Sequence, residues 1–225
     1  GGKIDWACHA NDARTAIEET IAFNEAIKEA YEFYKKHPKE TLIVVTGDHE
    51  CGGLTIGFSA TKYKTAFQKL KHQKYSNEVF TAKLRQFKET HNLDKLTLKD
   101  LMPLIIKYFG LGKGELAFKK FEIEQLETAF KQSIAMTKKG YKKKYIQYGH
   151  YDPLTVTLTH LINNKAGLGW TSYAHTGVPV ATAAIGVGSY LFNGRYDNTD
   201  IFHKISAIAG FSTHEKEDKP VKRRA

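Results

Sequence analysis

Three places in the sequence bring together residue types that hold divalent cations. In Lys3-Ile4-Asp5-Trp6-Ala7-Cys8-His9 a carboxylate and an imidazole, Asp5 and His9, stand four residues apart. If the segment is helical, that spacing puts both on one side, as two ligands of one ion require. Asp48-His49-Glu50-Cys51-Gly52-Gly53 follows directly on an apolar run. Open α/β sheets gather their ligand-binding residues in loops at the carboxyl ends of strands, so the position suits a site. Adjacent Asp48 and His49 can serve one cation, and the two glycines let backbone come close to a ligand. His175, in Ala174-His175-Thr176-Gly177, precedes a second strand-like run and completes the set.

Each feature also has a plainer reading. Asp-x-x-x-His is most often a surface pair, Asp-His after a strand can be a turn with a helix cap, and a single histidine says little. Cys8, His9, His49 and Cys51 could instead form a structural Cys2His2 zinc site, but their spacings depart from the usual wider ligand pairs. Cys8 and Cys51 then read as small buried residues beside the site, with a disulfide between them left open.

Positioning such residues needs an α/β framework, and the flanking patterns supply one. Ala13, Ala16, Thr20, Phe23, Ile27, Ala30 and Tyr34 alternate spacings of three and four, the stripe of one helix face. Pro38 stops that helix near His37, since proline disfavours helical geometry just before it. Leu42-Ile43-Val44-Val45 then reads as a short parallel strand buried on both faces. Further on, Asp152-Pro153 starts a helix carrying Leu154, Leu158, Leu161 and Ile162, and Gly167 ends it. Val178 to Val187 reads as a second buried strand and Ile201 to Ala209 as a final short helix.

Residues 60–150 have another character. Ser76 and Thr97 can cap two helices, with stripes at Val79, Phe80, Leu84, Phe87 and at Leu101, Leu104, Ile105, Tyr108. Ile123, Leu126, Phe130 and Ile134 mark a third. The whole chain carries a net charge of +10, yet 20 of its 34 Lys and Arg, against 8 of its 24 Asp and Glu, lie between 62 and 150. All the basic excess therefore sits in one helical block. The lysines are spread over several helix patterns without interleaved base-reading groups, so a solvated surface is expected rather than a specific nucleic-acid reader. The expected organisation is 1–59 as the first part of an α/β metal-binding core, 60–150 as a helical basic insertion, 151–211 as the second part of the core, and 212–225 as a charged tail. No apolar run reaches the roughly 18 residues of a membrane span. The chain starts at Gly1 with no leader, which leaves its compartment undetermined.

The segments GGKIDWACH, TLIVVTGDHECGGLTIG, DPLT, GLGWTSYAHTG and GRYDNTDIFHKI, in this order, resemble the carboxyl-terminal half of bacterial alkaline phosphatases. The resemblance implies an alkaline-phosphatase-like sheet flanked by helices. It also implies two zinc ions acting on a phosphate monoester through a phosphoserine intermediate, in the periplasm or outside the cell. By motif, Asp5, His9 and His175 would hold one zinc, and Asp48 with His49 part of the second. Trp6 falls where the family places a side chain beside the phosphate site. Two dications a few Å apart can activate a hydroxyl nucleophile and neutralise the leaving alkoxide, with phosphate clamped between them.

The same resemblance places several parts upstream of the matched region: the serine nucleophile, the Asp that bridges zinc and magnesium, and the Arg that clamps phosphate. A Glu that helps hold magnesium would stand immediately before Gly1. No serine of this chain matches the nucleophile motif; Ser172 reads as a loop hydroxyl. The expectation is thus a carboxyl-terminal portion that supplies zinc ligands but no nucleophile and is inactive without the missing amino-terminal portion. A homodimer is left open. Two other readings remain at this stage: a phosphodiesterase or phosphotransferase using the same metals, and a non-catalytic basic module that binds polyanions through 62–150 with strong salt dependence and no need of zinc.

Overall fold

The structure is a computed structural model and describes residues 1–138, 141–142 and 144–211. The charged tail expected at 212–225 lies outside the described residues. Along the chain come α1 (Gly2–His9), α2 (Ala13–Lys36), β1 (Leu42–Val45), β2 (Thr55–Ile56), α3 (Asn77–Glu89), α4 (Leu98–Phe109) and α5 (Lys120–Ala135). They are followed by α6 (Tyr145–Tyr148), α7 (Pro153–Ala166), β3 (Leu168–Gly169), β4 (Ala183–Gly186) and α8 (Asp200–Ala209), with single 3-10 turns between some of them. This is an α/β chain, mostly helical, with two small sheets.

Two compact units divide it. The first comprises Gly1–Asn24 and Glu50–Val178, the second Glu25–His49 and the chain from Pro179 onward. In the first unit α7 is the central helix. Its Leu154, Leu158, Leu161 and Ile162 are buried with Phe80 and Leu84 of α3, Leu101, Ile105 and Phe109 of α4, and Leu126 and Phe130 of α5. The helices of 60–150 therefore share one hydrophobic core with α7. Each fully buried Leu or Phe side chain there contributes about 1.5–3 kcal/mol of transfer free energy.

The helix ends follow the sequence signals. Ser76 accepts the Val79 N–H, 3.3 Å, at the start of α3. Asp100 reaches back to the Thr97 N–H, 2.8 Å, at the start of α4. Asp152 Oδ1 accepts the N–H groups of Leu154 and Thr155, and Gly167 closes α7 with φ +84°. Asp152 Oδ2 also accepts from Lys88 Nζ (2.9 Å) and Ser133 Oγ (2.6 Å), so one buried cluster ties α3, α5 and α7 together.

The second unit corrects the strand expectations. β1 pairs with β4 antiparallel, Leu42 opposite Gly186 and Val45 opposite Ala183, and β1 is only half-buried. A continuous apolar run reports burial but carries no information about strand direction. The second strand is not Val178 to Val187 but only Ala183–Gly186, and Ile185 within it is 38% exposed. Pro179 has no N–H to give to a ladder, and Gly186, the last residue of the strand, has φ +103°. In the first unit β2 and β3 form a second antiparallel pair, Thr55 opposite Gly169.

Candidate metal centre

Residues Gly2–His9 form helix α1, which meets the condition set by the Asp5–His9 spacing and puts both on one side: His9 Nε2 lies 3.5 Å from Asp5 Oδ2. His175 comes to the same place from far along the chain, its ring centroid 5.1 Å from that of His9. One donor atom each from Asp5, His9, His175 and Cys51 lie within 4.8 Å of one another. Asp5 Oδ1 is buried there without a hydrogen-bond partner. A buried, unpartnered carboxylate oxygen beside two imidazoles is costly unless a cation satisfies it. The donor set of carboxylate oxygen, imidazole nitrogen and sulfur suits zinc.

Three successive backbone carbonyls align the segments that bring these residues in. Ser172 O accepts from Asn11 Nδ2 (2.9 Å), Tyr173 O from His9 Nδ1 (2.6 Å) and Ala174 O from the Gly52 N–H (2.8 Å). A carbonyl can only accept, so His9 donates a proton from Nδ1 and presents its other nitrogen, Nε2, toward Asp5. That is how an outer hydrogen bond fixes a ligating imidazole.

Asn11 extends the frame. It is buried in a left-handed conformation, φ +51°, just past α1. Its side chain also donates to Cys8 O and accepts from His160 Nε2 of α7 (2.9 Å). Asn163 Nδ2 donates to its carbonyl (2.6 Å). Next to it, the fully buried Asp12 caps α2 at Thr15 and accepts from Gln73 and the Asn77 N–H, joining the start of α3 to the end of α1.

Glu50 serves the loop before Cys51. Its carboxylate accepts from the Gly53 N–H (2.7 Å), the Thr176 N–H (3.0 Å) and the Thr176 hydroxyl, which fastens this loop beside His175. Burial alone would raise the Glu50 pKa, but the hydrogen bonds from Thr176, Gly53 and Leu54 outweigh it and hold it below the usual carboxylate range. Gly52 has to be glycine: φ is +83°, and a Cβ would stand 2.6 Å from the Trp170 ring and 2.8 Å from Cys8 O.

Asp48 and His49 belong to the second unit, side by side, with His49 Nε2 3.4 Å from Asp48 Oδ2. Trp6 is 64% exposed and lines a hollow of about 240 Å³ with Lys3, Thr15 and Ser76. Cys8 and Cys51 are both free thiols. Burial, followed by the charges of Asp5, Glu50 and Asp12, pushes Cys8 up to about 11. Burial, followed by a hydrogen bond to Asp5 and its charge, pushes Cys51 up well beyond the ordinary thiol range. The sequence offered Cys51 as a ligand only in the Cys2His2 alternative with Cys8, His9 and His49, and the preferred reading set it beside the site. Nothing in the spacing announced Asn11, Glu50 or the three carbonyls.

Residues 1–211 match the family model for alkaline phosphatase. Alkaline phosphatase 4 of Bacillus subtilis (strain 168) is 32% identical over 200 residues, covering 89% of this chain and 36% of the relative. The repressible alkaline phosphatase of Saccharomyces cerevisiae is 27% identical over 229 residues, 97% of this chain and 37% of the relative. Among solved structures, a cold-active alkaline phosphatase from the psychrophile Shewanella sp. superposes with a TM-score of 0.65 at 30% identity, over 91% of this chain and 43% of that one. The chain thus spans little more than a third of the length of these curated relatives. On the match of residues 1–211 and the fold it shares, the chain belongs to the alkaline phosphatase family.

Proposed function

We propose that this chain is the metal-holding portion of a zinc-dependent alkaline phosphatase that hydrolyses phosphate monoesters through a phosphoserine. The observation that carries the reading is the convergence of Asp5, His9 and His175, with one buried Asp5 oxygen left without a partner. These three residues would hold one zinc, and Asp48 with His49 would contribute to a second. A bound zinc at such a place neutralises charge developing on phosphoryl and leaving-group oxygens. The work of this chain's own residues is to keep that place ordered. The Tyr173 carbonyl holds the His9 proton away from the centre, Glu50 and Thr176 fasten the loop beside His175, and Asn11 joins α1 to α7.

The nucleophilic serine and the phosphate-clamping arginine come from outside these 225 residues in this reading. Ser172 is no substitute: its Oγ accepts the Ala174 N–H (2.8 Å) and its carbonyl is engaged by Asn11. Most of a magnesium site would lie outside as well. The relatives are about two and a half times as long, so the completed enzyme would join this chain to an amino-terminal portion; the family's location favours the periplasm or the exterior. Among the described residues no helix is long and apolar enough to cross a membrane.

The test is an assay on a chromogenic phosphate monoester, with this chain alone and then with an upstream portion from a relative added. Turnover should stay at background for the chain alone, zinc included, and rise on addition. Vigorous turnover by the chain alone, abolished by Ser172→Ala, would refute the assignment of the nucleophile.

A further inference from the structure

We propose that Cys51 is a fourth protein donor to the cation held by Asp5, His9 and His175, so that this centre selects a thiophilic divalent ion. The inference rests on the reading of the cluster as a metal centre given above. Cys51 Sγ lies within 4.8 Å of a ligand atom of each of the other three residues. Donors around a tetrahedral zinc, with bonds of about 2.0–2.3 Å, are separated by about 3.3–3.8 Å. Closing the four atoms onto one ion therefore asks for roughly 1 Å of side-chain movement.

The backbone on either side of the cysteine is already held. Glu50 is bonded to Gly53 and Thr176, and the Gly52 N–H to Ala174 O. The thiol makes a long contact, 3.5 Å, to the backbone carbonyl of Asp5. Ligation exchanges the S–H bond for a sulfur–metal bond and releases the proton to solvent. A thiolate among two imidazoles and one carboxylate oxygen favours zinc, cadmium or cobalt over the hard cations magnesium and calcium. Zinc can expand to five ligands, so a sulfur in the fourth position still admits a phosphate oxygen.

Cobalt titration of the intact chain separates the possibilities. Wild type and Cys8→Ser should both develop the visible bands of tetrahedral cobalt together with a near-ultraviolet thiolate-to-cobalt charge-transfer band. Cys51→Ser should keep the visible bands, lose the charge-transfer band, and bind zinc more weakly by on the order of the 10–100-fold seen when a supporting partner is lost. Visible bands without charge transfer in wild type would overturn the role of Cys51 and leave the three-residue centre standing. No cobalt uptake at all would overturn the metal centre and this inference together. If Cys51→Ser does not fold, alkylation of wild type decides: cadmium should slow labelling of Cys51 relative to Cys8, and equal slowing or none would overturn the proposal.

Discussion

Asn11 shows how much a single residue outside the donor set contributes to the centre. It is buried, sits at φ +51°, and connects Cys8 O, Ser172 O and His160. Replacing it with alanine removes the side-chain partners of three half-buried groups and forces a Cβ-bearing residue without local hydrogen bonds to stay left-handed. A loss of about 2–4 kcal/mol is expected in urea unfolding. Zinc affinity should fall with it, because α1 and the His175 loop lose their common anchor. His160 gives a pH signature. Burial pulls it from 6.5 down to about 4. The folded protein therefore binds fewer protons than the unfolded one between those values. Stability from this group is complete above pH 6.5 and is lost as pH falls toward 4, by about 3 kcal/mol at most. Urea midpoints measured across that range should drop on acidification. His160→Gln, which can still donate to Asn11 but does not titrate, should flatten the drop.

At the scale of elements, the buried Lys88–Ser133–Asp152 cluster is the joint between α3, α5 and α7. Lys88→Met would leave Asp152 buried without its cation, and removing one partner of such a pair costs about 3–5 kcal/mol. Unfolding of that variant against wild type checks the figure, and Lys88→Met/Asp152→Asn should recover part of the loss. The helices themselves were legible before the structure. The stripes of α3, α4 and α5, the Ser76 and Asp152 caps and the Gly167 stop all follow from local chemistry that a sequence displays directly. The strands were less so, because pairing direction and strand ends depend on partners far along the chain. Leu42–Val45 was located but its antiparallel pairing was not, and the strand read at Val178 to Val187 is only Ala183–Gly186. For the centre, the Asp5–His9 spacing was readable because it is a local period. His175 was singled out as completing the set, but its sharing one zinc with Asp5 and His9 came through resemblance, since 164 residues separate His9 from the Tyr173 carbonyl that aligns it. The Lys88 joint was invisible, as a buried lysine looks like any other in a basic stretch.

At the scale of the whole chain, the second unit leaves apolar side chains in solvent: Ile185 and Val187 by β4, and Phe202 and Ile205 on α8. In the proposed enzyme, residues outside this chain would cover them. The chain on its own should therefore self-associate with rising concentration in light scattering, and an added amino-terminal portion should suppress this. A monodisperse chain at high concentration would count against that cover. The central claim, that Asp5, His9 and His175 form a zinc centre, is tested most directly by zinc dissociation constants from competition with a chromogenic chelator. Asp5→Asn, His9→Ala and His175→Ala should each weaken binding of the tightest zinc by tenfold or more. His72→Ala, which removes a ring paired with Glu115 on the surface, should leave it unchanged. Equal zinc affinity in wild type and all three site variants would contradict the account.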